Sequence, residues 1–553
     1  MEESFSKRGL FRIVDPLFGK NNIYKMQAKT TVSLGPVMIG TAANKNLPWL
    51  QVEIINENNY RKKMGALFDE EGLPSHFALQ MERKADFIGI SASMTNAVPR
   101  AKNIIRDYKL MPEELRPKAI IVGGWHAGDS AAEFLSEGCD VVVHGEGERI
   151  IKEIIEKCDR GESMAEISGI SYLKDGQIHR NGPEFLALSE EELEALPCPD
   201  FSLARFSKIK LHPMSRTRGC SGRCRFCRVR SDPRSISPEK FLENMKVIAS
   251  KGAKNFFWVD DRSEEELEGF QKCLKGLISL RRHYRFEIIT QNRLSLAEKP
   301  EVLALMREAG VKMVAIGFES PIPAEIKAMR KPINPDKMVE WTKIFKENGL
   351  YVHAMMIFGY PLSTCGDPEI MKQVEKVSVK ERSETFWHFI KKAKPDTLQV
   401  LLYTPIIGTP DYLFLQKAGR LREELGWELY DGTHLVFEPD EGIDPVELQE
   451  ESIKLMRKFY SFNFFWRFSR ISLVLHFLYF GFVTLAMPLL WLINLKIRHL
   501  MNFPFKRTCA LAWQGAKRSY RKAKLSLGGH LIITSWRKHF DTLGLKNYWA
   551  KKN

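Results

Sequence analysis

Cysteine is scarce in this chain: nine among 553 residues are too few for a disulfide scaffold. The apolar core of a signal peptide is also missing, because Met1 to Thr30 is polar and mixed in charge, so an intracellular protein is expected. No repeat period stands out, which excludes solenoids and propellers. No low-complexity tract interrupts the chain. Surplus charge is lacking over residues 1–495, which hold 69 basic and 67 acidic side chains. Most of the net +15 therefore resides in Lys496–Asn553, where 14 Lys and Arg accompany one acid, Asp541. The length allows two or three domains.

What the chain does have is concentrated in one loop. Cys220, Cys224 and Cys227 stand in Arg218-Gly-Cys-Ser-Gly-Arg-Cys-Arg-Phe-Cys-Arg-Val229. The spacing is C-x3-C-x2-C, with no fourth cysteine close by. A structural zinc site recruits four protein ligands, and an ordinary [4Fe–4S] cluster takes four cysteines. Three thiolates leave one iron open to a small molecule. Phe226 supplies a dry wall, and glycines 219 and 222 let the backbone wrap closely. Cys139, Cys158, Cys198, Cys273, Cys365 and Cys509 have no metal spacing and are read as inert thiols. A zinc knuckle is the plain alternative for the loop.

Upstream, short apolar runs alternate with helical stretches. Strands are expected over 52–55, 87–91 and 119–124, helices over 97–108 and 131–137, and a further strand in 139–147. This rhythm predicts a doubly wound parallel sheet, whose ligands lie beyond the carboxyl ends of the strands. Three of those ends are small or polar: Ser91-Ala-Ser93, Gly123-Gly-Trp-His-Ala-Gly128 and His144-Gly-Glu-Gly147. Downstream of the cysteine loop, strands are expected over 255–259, 286–290, 313–317, 353–358 and 397–402. Amphipathic helices such as 239–251 and 300–309 separate them. That alternation fits a β/α barrel with its chemistry at the C-terminal strand ends.

The cysteine loop resembles that of the radical S-adenosylmethionine enzymes. The glycine-rich strand ends, with Leu34-Gly-Pro-Val-Met-Ile-Gly40 before them, resemble the cobalamin-binding domain that precedes many such barrels. The resemblance covers roughly residues 30 to 460. It implies a [4Fe–4S] cluster on the three cysteines whose open iron chelates S-adenosylmethionine and cleaves it to a 5′-deoxyadenosyl radical. Gly317-Phe-Glu-Ser320 is similar to the family's Gly-x-Glu-Ser element, and the implied S-adenosylmethionine set is Phe226, Asp260, Asp261, Gln291, Gly317, Glu319, Ser320 and Gly359. Asp260 and Asp261 would equally serve as a helix cap. The implied cobalamin set is Ser91, Ser93, Gly123, Gly124, Trp125, His126, Gly145, Glu146 and Gly147. The D-x-H-x-x-G motif that supplies a cobalt-ligating histidine is absent, so the corrinoid would be held without a protein imidazole. His126 and His144 read as loop residues before metal ligands. A degenerate domain that binds no corrinoid is the alternative.

Domains follow from this: an extension over 1–30, the cobalamin-binding-like domain over 31–165, a linker over 166–205, and a partial, six-stranded barrel over 206–430. A helical extension spans 431–470. An apolar helix and basic tail then occupy 471–553. Ile471 to Leu495 is 25 residues without a charge, longer than the ~20 that cross a hydrocarbon core. Pro488 would kink a simple span, so a monotopic helix is the other option, and a very apolar buried helix a third. The tail interleaves Lys and Arg with Trp513, Trp536 and Trp549. A membrane surface on the cytoplasmic side is expected as its partner, not nucleic acid.

The expected activity is methylation of an unactivated carbon of a lipid or isoprenoid-like substrate, similar to the hopanoid methylases. A flavodoxin- or ferredoxin-type protein would donate electrons. A cyclase similar to the anaerobic protoporphyrin ester cyclase would keep the same domains without methyl transfer. A non-catalytic membrane-bound corrinoid or iron–sulfur sensor is the rival of another class. The sequence singles out no catalytic residue.

Overall fold

Apolar runs too short for helices and bounded by glycine become the strands of two parallel sheets. The computed structural model describes residues 8–460, apart from 20, 21, 23, 230, 375 and 376, together with 548 and 549. The first sheet contains β1 (Gly9–Asp15), β2 (Leu50–Asn56), β3 (Phe87–Ser91), β4 (Ala119–Gly123), β5 (Val141–Val143), β6 (Ile170–Lys174), β7 (Gln177–Asn181) and β8 (Ala204–Arg205). Their order is β7-β6-β5-β4-β3-β1-β2-β8, and every pairing is parallel except β5 with β6 and β6 with β7, which are antiparallel. Both faces are buried. Phe11, Ile13, Val52, Ile54 and Ile121 pack on one side, and Leu10, Val14, Ile88, Ile90 and Ile120 on the other. Such two-sided burial is why these strands read as continuous apolar runs. The order reverses between β1 and β3, and a crevice opens at that point.

Two boundaries differ from the sequence reading. Residues 1–30, read as an extension, supply the central strand β1. The stretch read as a linker, 166–205, supplies β6, β7 and β8. β1 carries a buried arginine that disguises it: Arg12 donates to Glu53 at 2.6 Å and to Gln80 at 2.7 Å.

The second sheet starts with β9 (His212–Met214). A two-stranded ribbon, β10 (Thr217–Arg218) with β11 (Arg234–Ser235), then pinches off the cysteine loop. β12 (Asn255–Trp258), β13 (Glu287–Gln291), β14 (Val311–Glu319), β15 (Tyr351–Phe358) and β16 (Thr397–Leu402) follow. All pair in parallel in the order β16-β15-β14-β13-β12-β9, a partial barrel of six strands. Along β15 the even-numbered residues are buried beneath the helices, and the odd ones, half-buried, face the lumen. Helix Pro445–Phe459 packs beside β16, where Tyr460 Oη donates to the Leu398 carbonyl at 2.8 Å.

The uncharged run 471–495 and nearly all of the basic tail lie outside the described residues. Among the described residues no helix is long and apolar enough to cross a membrane. Near the C-terminus, Trp549 is buried and Tyr548 donates to Glu424.

Candidate functional site

The ribbon β10/β11 brings the two arms of the cysteine loop together, and backbone bonds fix its interior. Cys220 N donates to the Ser231 carbonyl at 3.1 Å and Cys227 N to the Cys224 carbonyl at 3.2 Å. Gly219 has φ +88, and a Cβ there would lie 2.4 Å from the Asp232 carbonyl oxygen, so only glycine fits. At Gly222 a Cβ would sit 3.3 Å from Cys220 Sγ and 3.9 Å from Cys224 Sγ. The missing side chain thus leaves room between two sulfurs. Burial pushes the Cys227 thiol up to about 11, and it raises Cys224 as well, against the pull of the Lys331 cation. A bound metal deprotonates coordinating thiols outright, which would offset that burial. None of the described cysteines forms a disulfide. Among the described residues no three His, Cys, Asp or Glu side chains are grouped to hold a single metal ion. A cube of four irons spreads its thiolates more widely than a tetrahedral zinc with bonds of ~2.3 Å.

Next to this loop, the barrel mouth holds a buried ion pair. Glu319, at the end of β14, adopts a left-handed φ of 57°, a strained conformation for a residue with a side chain. Its Oε1 accepts from Lys331 Nζ at 2.7 Å. Burial works against the Lys331 charge, but Glu319 and Cys224 outweigh it and raise its pKa. Gly317 makes the pair feasible, since a Cβ there would lie 2.2 Å from Glu319 Oε1 and 2.8 Å from Lys331 Nζ.

The remaining candidates separate into two kinds. Asp261 opens onto the cavity described below, with a carboxyl that burial pushes up to about 6. Asp260 turns inward. It accepts from Ser215 Oγ and Arg216 N, both at 2.8 Å, and from Trp258 Nε1 at 2.6 Å. Its carboxylate therefore ties β12 to the cysteine-loop arm, and burial pushes it up to about 7. Gln291 donates to the Asp260 carbonyl at 3.2 Å. Ser320 donates to the buried Glu325, Gly359 packs on Leu448, and Phe226 is half-buried against the barrel core. These groups support the mouth from behind.

The main cavity, about 390 Å³, lies between the first sheet and the cysteine loop. Eight of the nine residues in the cobalamin set line it: Ser91, Ser93, Gly123, Gly124, Trp125, Gly145, Glu146 and Gly147. His126 does not. It is buried among Thr95, Glu133 and the Trp427 ring. His144 is turned away too, bonded to the Gly128 carbonyl at 2.9 Å and to Ser171 at 2.7 Å. The walls are mostly apolar or small, with Phe11, Ile13, Met38 and Ile121 at the sheet side. Such a cradle fits a large flat ligand that receives no imidazole from the described residues. Phe185, which stacks on Trp125 at 5.0 Å, and Arg228 also line it. Neither was singled out in the sequence. Phe185 lies in the stretch read as a linker, and only the position of Arg228 beside Cys227 hinted at a role.

Comparison with known proteins matches each half separately. The radical SAM superfamily model fits residues 214–373 and the B12 binding domain model residues 75–155. An uncharacterized methyltransferase of Pyrococcus horikoshii is 25% identical over 398 residues, covering 68% of this chain and 78% of that one. A hopanoid C-2 methylase of Rhodopseudomonas palustris is 25% identical over 238 residues, 42% of each chain. Among solved structures, the cobalamin-dependent S-adenosylmethionine radical enzyme OxsB, with aqua-cobalamin and S-adenosylmethionine bound, superposes with a TM-score of 0.62 at 14% identity. That superposition covers 98% of this chain and 81% of OxsB, and it establishes a shared fold.

Proposed function

This chain belongs to the radical S-adenosylmethionine enzymes that carry a B12-binding domain, and from that premise we propose that it methylates an unactivated carbon of an apolar, lipid-like substrate. The observation that carries methyl transfer is the cavity itself, which is apolar, glycine-lined and shared by the N-terminal sheet and the cysteine loop. Cys220, Cys224 and Cys227 would hold the [4Fe–4S] cluster. Glu319, Lys331 and Asp261 are the charged groups at hand for S-adenosylmethionine, and the strand ends Ser91–Ser93, Gly123–Trp125 and Gly145–Gly147 would hold the corrinoid. When bound, the cluster supplies the electron that cleaves S-adenosylmethionine, and the corrinoid supplies the methyl group.

The chain's own residues position these groups and exclude water. Glycines let the backbone approach, and Trp125 and Phe185 wall the cavity. Asp261, with its raised value, holds or releases a proton near pH 6. The lipid-like substrate is supported by the similarity to a hopanoid methylase and by the uncharged run 471–495, which together with the basic tail would keep the enzyme at a membrane surface. A flavodoxin- or ferredoxin-type donor fits the need for single electrons.

The test is anaerobic incubation of the cofactor-loaded enzyme with methyl-labelled S-adenosylmethionine and a membrane lipid extract. Label is expected in a lipid-soluble product. Turnover of a lipid to a product that carries no label would favour ring closure. Label confined to water-soluble products would defeat the lipid assignment.

A further inference from the structure

Three ion pairs join the two halves of the cavity wall, and one of them uses Glu146 of the corrinoid set. Arg228, beside Cys227, donates through Nε and Nη2 to the two oxygens of Asp129, each at 2.6 Å. Its guanidinium lies 5.0 Å over the Trp125 ring. On the other arm of the loop, Arg234 reaches both Glu146 oxygens at 2.9 and 3.0 Å. Arg218 donates to Glu148 at 2.7 Å. The acids all follow strand ends of the first sheet, and the arginines all flank the cysteines. Their side chains are between 5% and 24% exposed, so solvent screens them less than pairs on an open surface. Gly408, from the loop after β16, completes the junction. A Cβ there would lie 2.3 Å from Asp129 Oδ2 and 2.7 Å from Arg228 Nε.

We propose that these three pairs are a positioning device that fixes the distance between the corrinoid cavity and the cysteine loop, with Asp129–Arg228 at its centre. The proposal rests on the two-cofactor reading above. Apolar contact is non-directional and cannot by itself set that distance. Bidentate arginine–carboxylate pairs fix angle as well as separation. Transfer between groups held on two domains depends on that geometry, because a misplacement of about 1 Å costs about 100-fold in rate.

The experiment is pulsed EPR on the holoenzyme, reading the distance between cobalt(II) of the corrinoid and the reduced cluster. Wild type should give a narrow distribution. Asp129→Asn and Gly408→Ala should broaden it while iron and corrinoid contents are kept, and labelled lipid product should fall about 100-fold. Exchanging the charges, Asp129→Arg with Arg228→Asp, should narrow the distribution again. An unchanged distribution in both single variants overturns the proposal. So does loss of corrinoid from Asp129→Asn that the exchange does not restore, since Asp129 would then be a direct corrinoid contact. A nitroxide at Leu110→Cys, an exposed site on the N-terminal domain, gives a distance to the cluster without any corrinoid. Failure of the wild type to bind corrinoid would therefore sink the functional reading while this second distance still tests the seam.

Discussion

Asp260 and Asp261 are neighbours with opposite surroundings, because β12 ends just before them and one side chain turns into the protein while the other meets the cavity. The Asp260 carboxyl, ordinarily near 3.8, is pushed up to about 7 by burial, so the folded state binds a proton that the unfolded chain has released. Its contribution to stability is fully present below about pH 4 and is lost as pH rises to about 7, at roughly 1.4 kcal/mol per pH unit between those values. Asp260→Asn removes this titration. The melting temperature of the variant relative to wild type should therefore be lowest at acid pH and recover toward pH 8. A constant difference would show that the carboxyl titrates normally. The cysteines give a second prediction at this scale. Replacing all three by alanine should abolish the cluster's absorbance and all S-adenosylmethionine cleavage, and iron near four per chain surviving the change would refute the assignment. Because His126 and His144 bond to Thr95, Glu133, Gly128 and Ser171, cobalt(II) spectra should show no hyperfine coupling from a histidine nitrogen. Coupling that vanishes in His126→Ala would overturn this.

The strand ends make the same point at the scale of elements. β14 bends into its left-handed terminal residue and places Glu319 against Lys331, and Gly317 two residues earlier leaves the space for them. A methyl group at Gly317 would overlap both partners. Gly317→Ala should therefore weaken S-adenosylmethionine binding by at least tenfold, about 1.4 kcal/mol, as read by calorimetry on the cluster-loaded enzyme, with the cluster's absorbance kept. Unchanged affinity would show that the pair does not contribute to the site. The long buried strands were legible because apolar runs between glycine turns have few other solutions. β3, β4, β13, β15 and β16 lie within about two residues of their expected bounds. β1 was not legible, because Arg12 reads as a surface residue until Glu53 and Gln80 are brought beside it. β9 was missed because three residues containing Pro213, paired to β12 on one side only, carry no periodic signal.

For the whole molecule, a near-neutral body over residues 1–495 carries an apolar and basic C-terminal segment. If the run from Ile471 holds the enzyme at a bilayer, insertion should dominate over charge attraction. Burying one apolar side chain is worth about 1.5–3 kcal/mol, and exposed charges are screened by salt. High salt alone should leave the protein on membranes, and detergent should release it. Removal of the uncharged run 471–495, which leaves the buried Trp549 in the chain, should yield protein that needs no detergent and retains its cluster and S-adenosylmethionine cleavage. Full-length protein that stays in the supernatant without detergent would instead favour a segment packed against the body, and the lipid substrate would lose its main support.

The sequence by itself determined the chemistry-bearing pieces: three thiols at C-x3-C-x2-C spacing, glycine-rich strand ends, Gly317-Phe-Glu-Ser320 and two alternating β/α regions. Each is a local pattern, written in neighbouring residues and set by covalent spacing or strand period. The tertiary structure decided what those pieces face. It turned His126 and Asp260 inward and opened Trp125 and Asp261 onto one cavity. It set Phe185 against Trp125 and brought Arg228 to Asp129 from 99 residues away. Such outcomes depend on which partner offsets the burial of a charge or ring, and that partner is fixed only when distant strands are brought side by side.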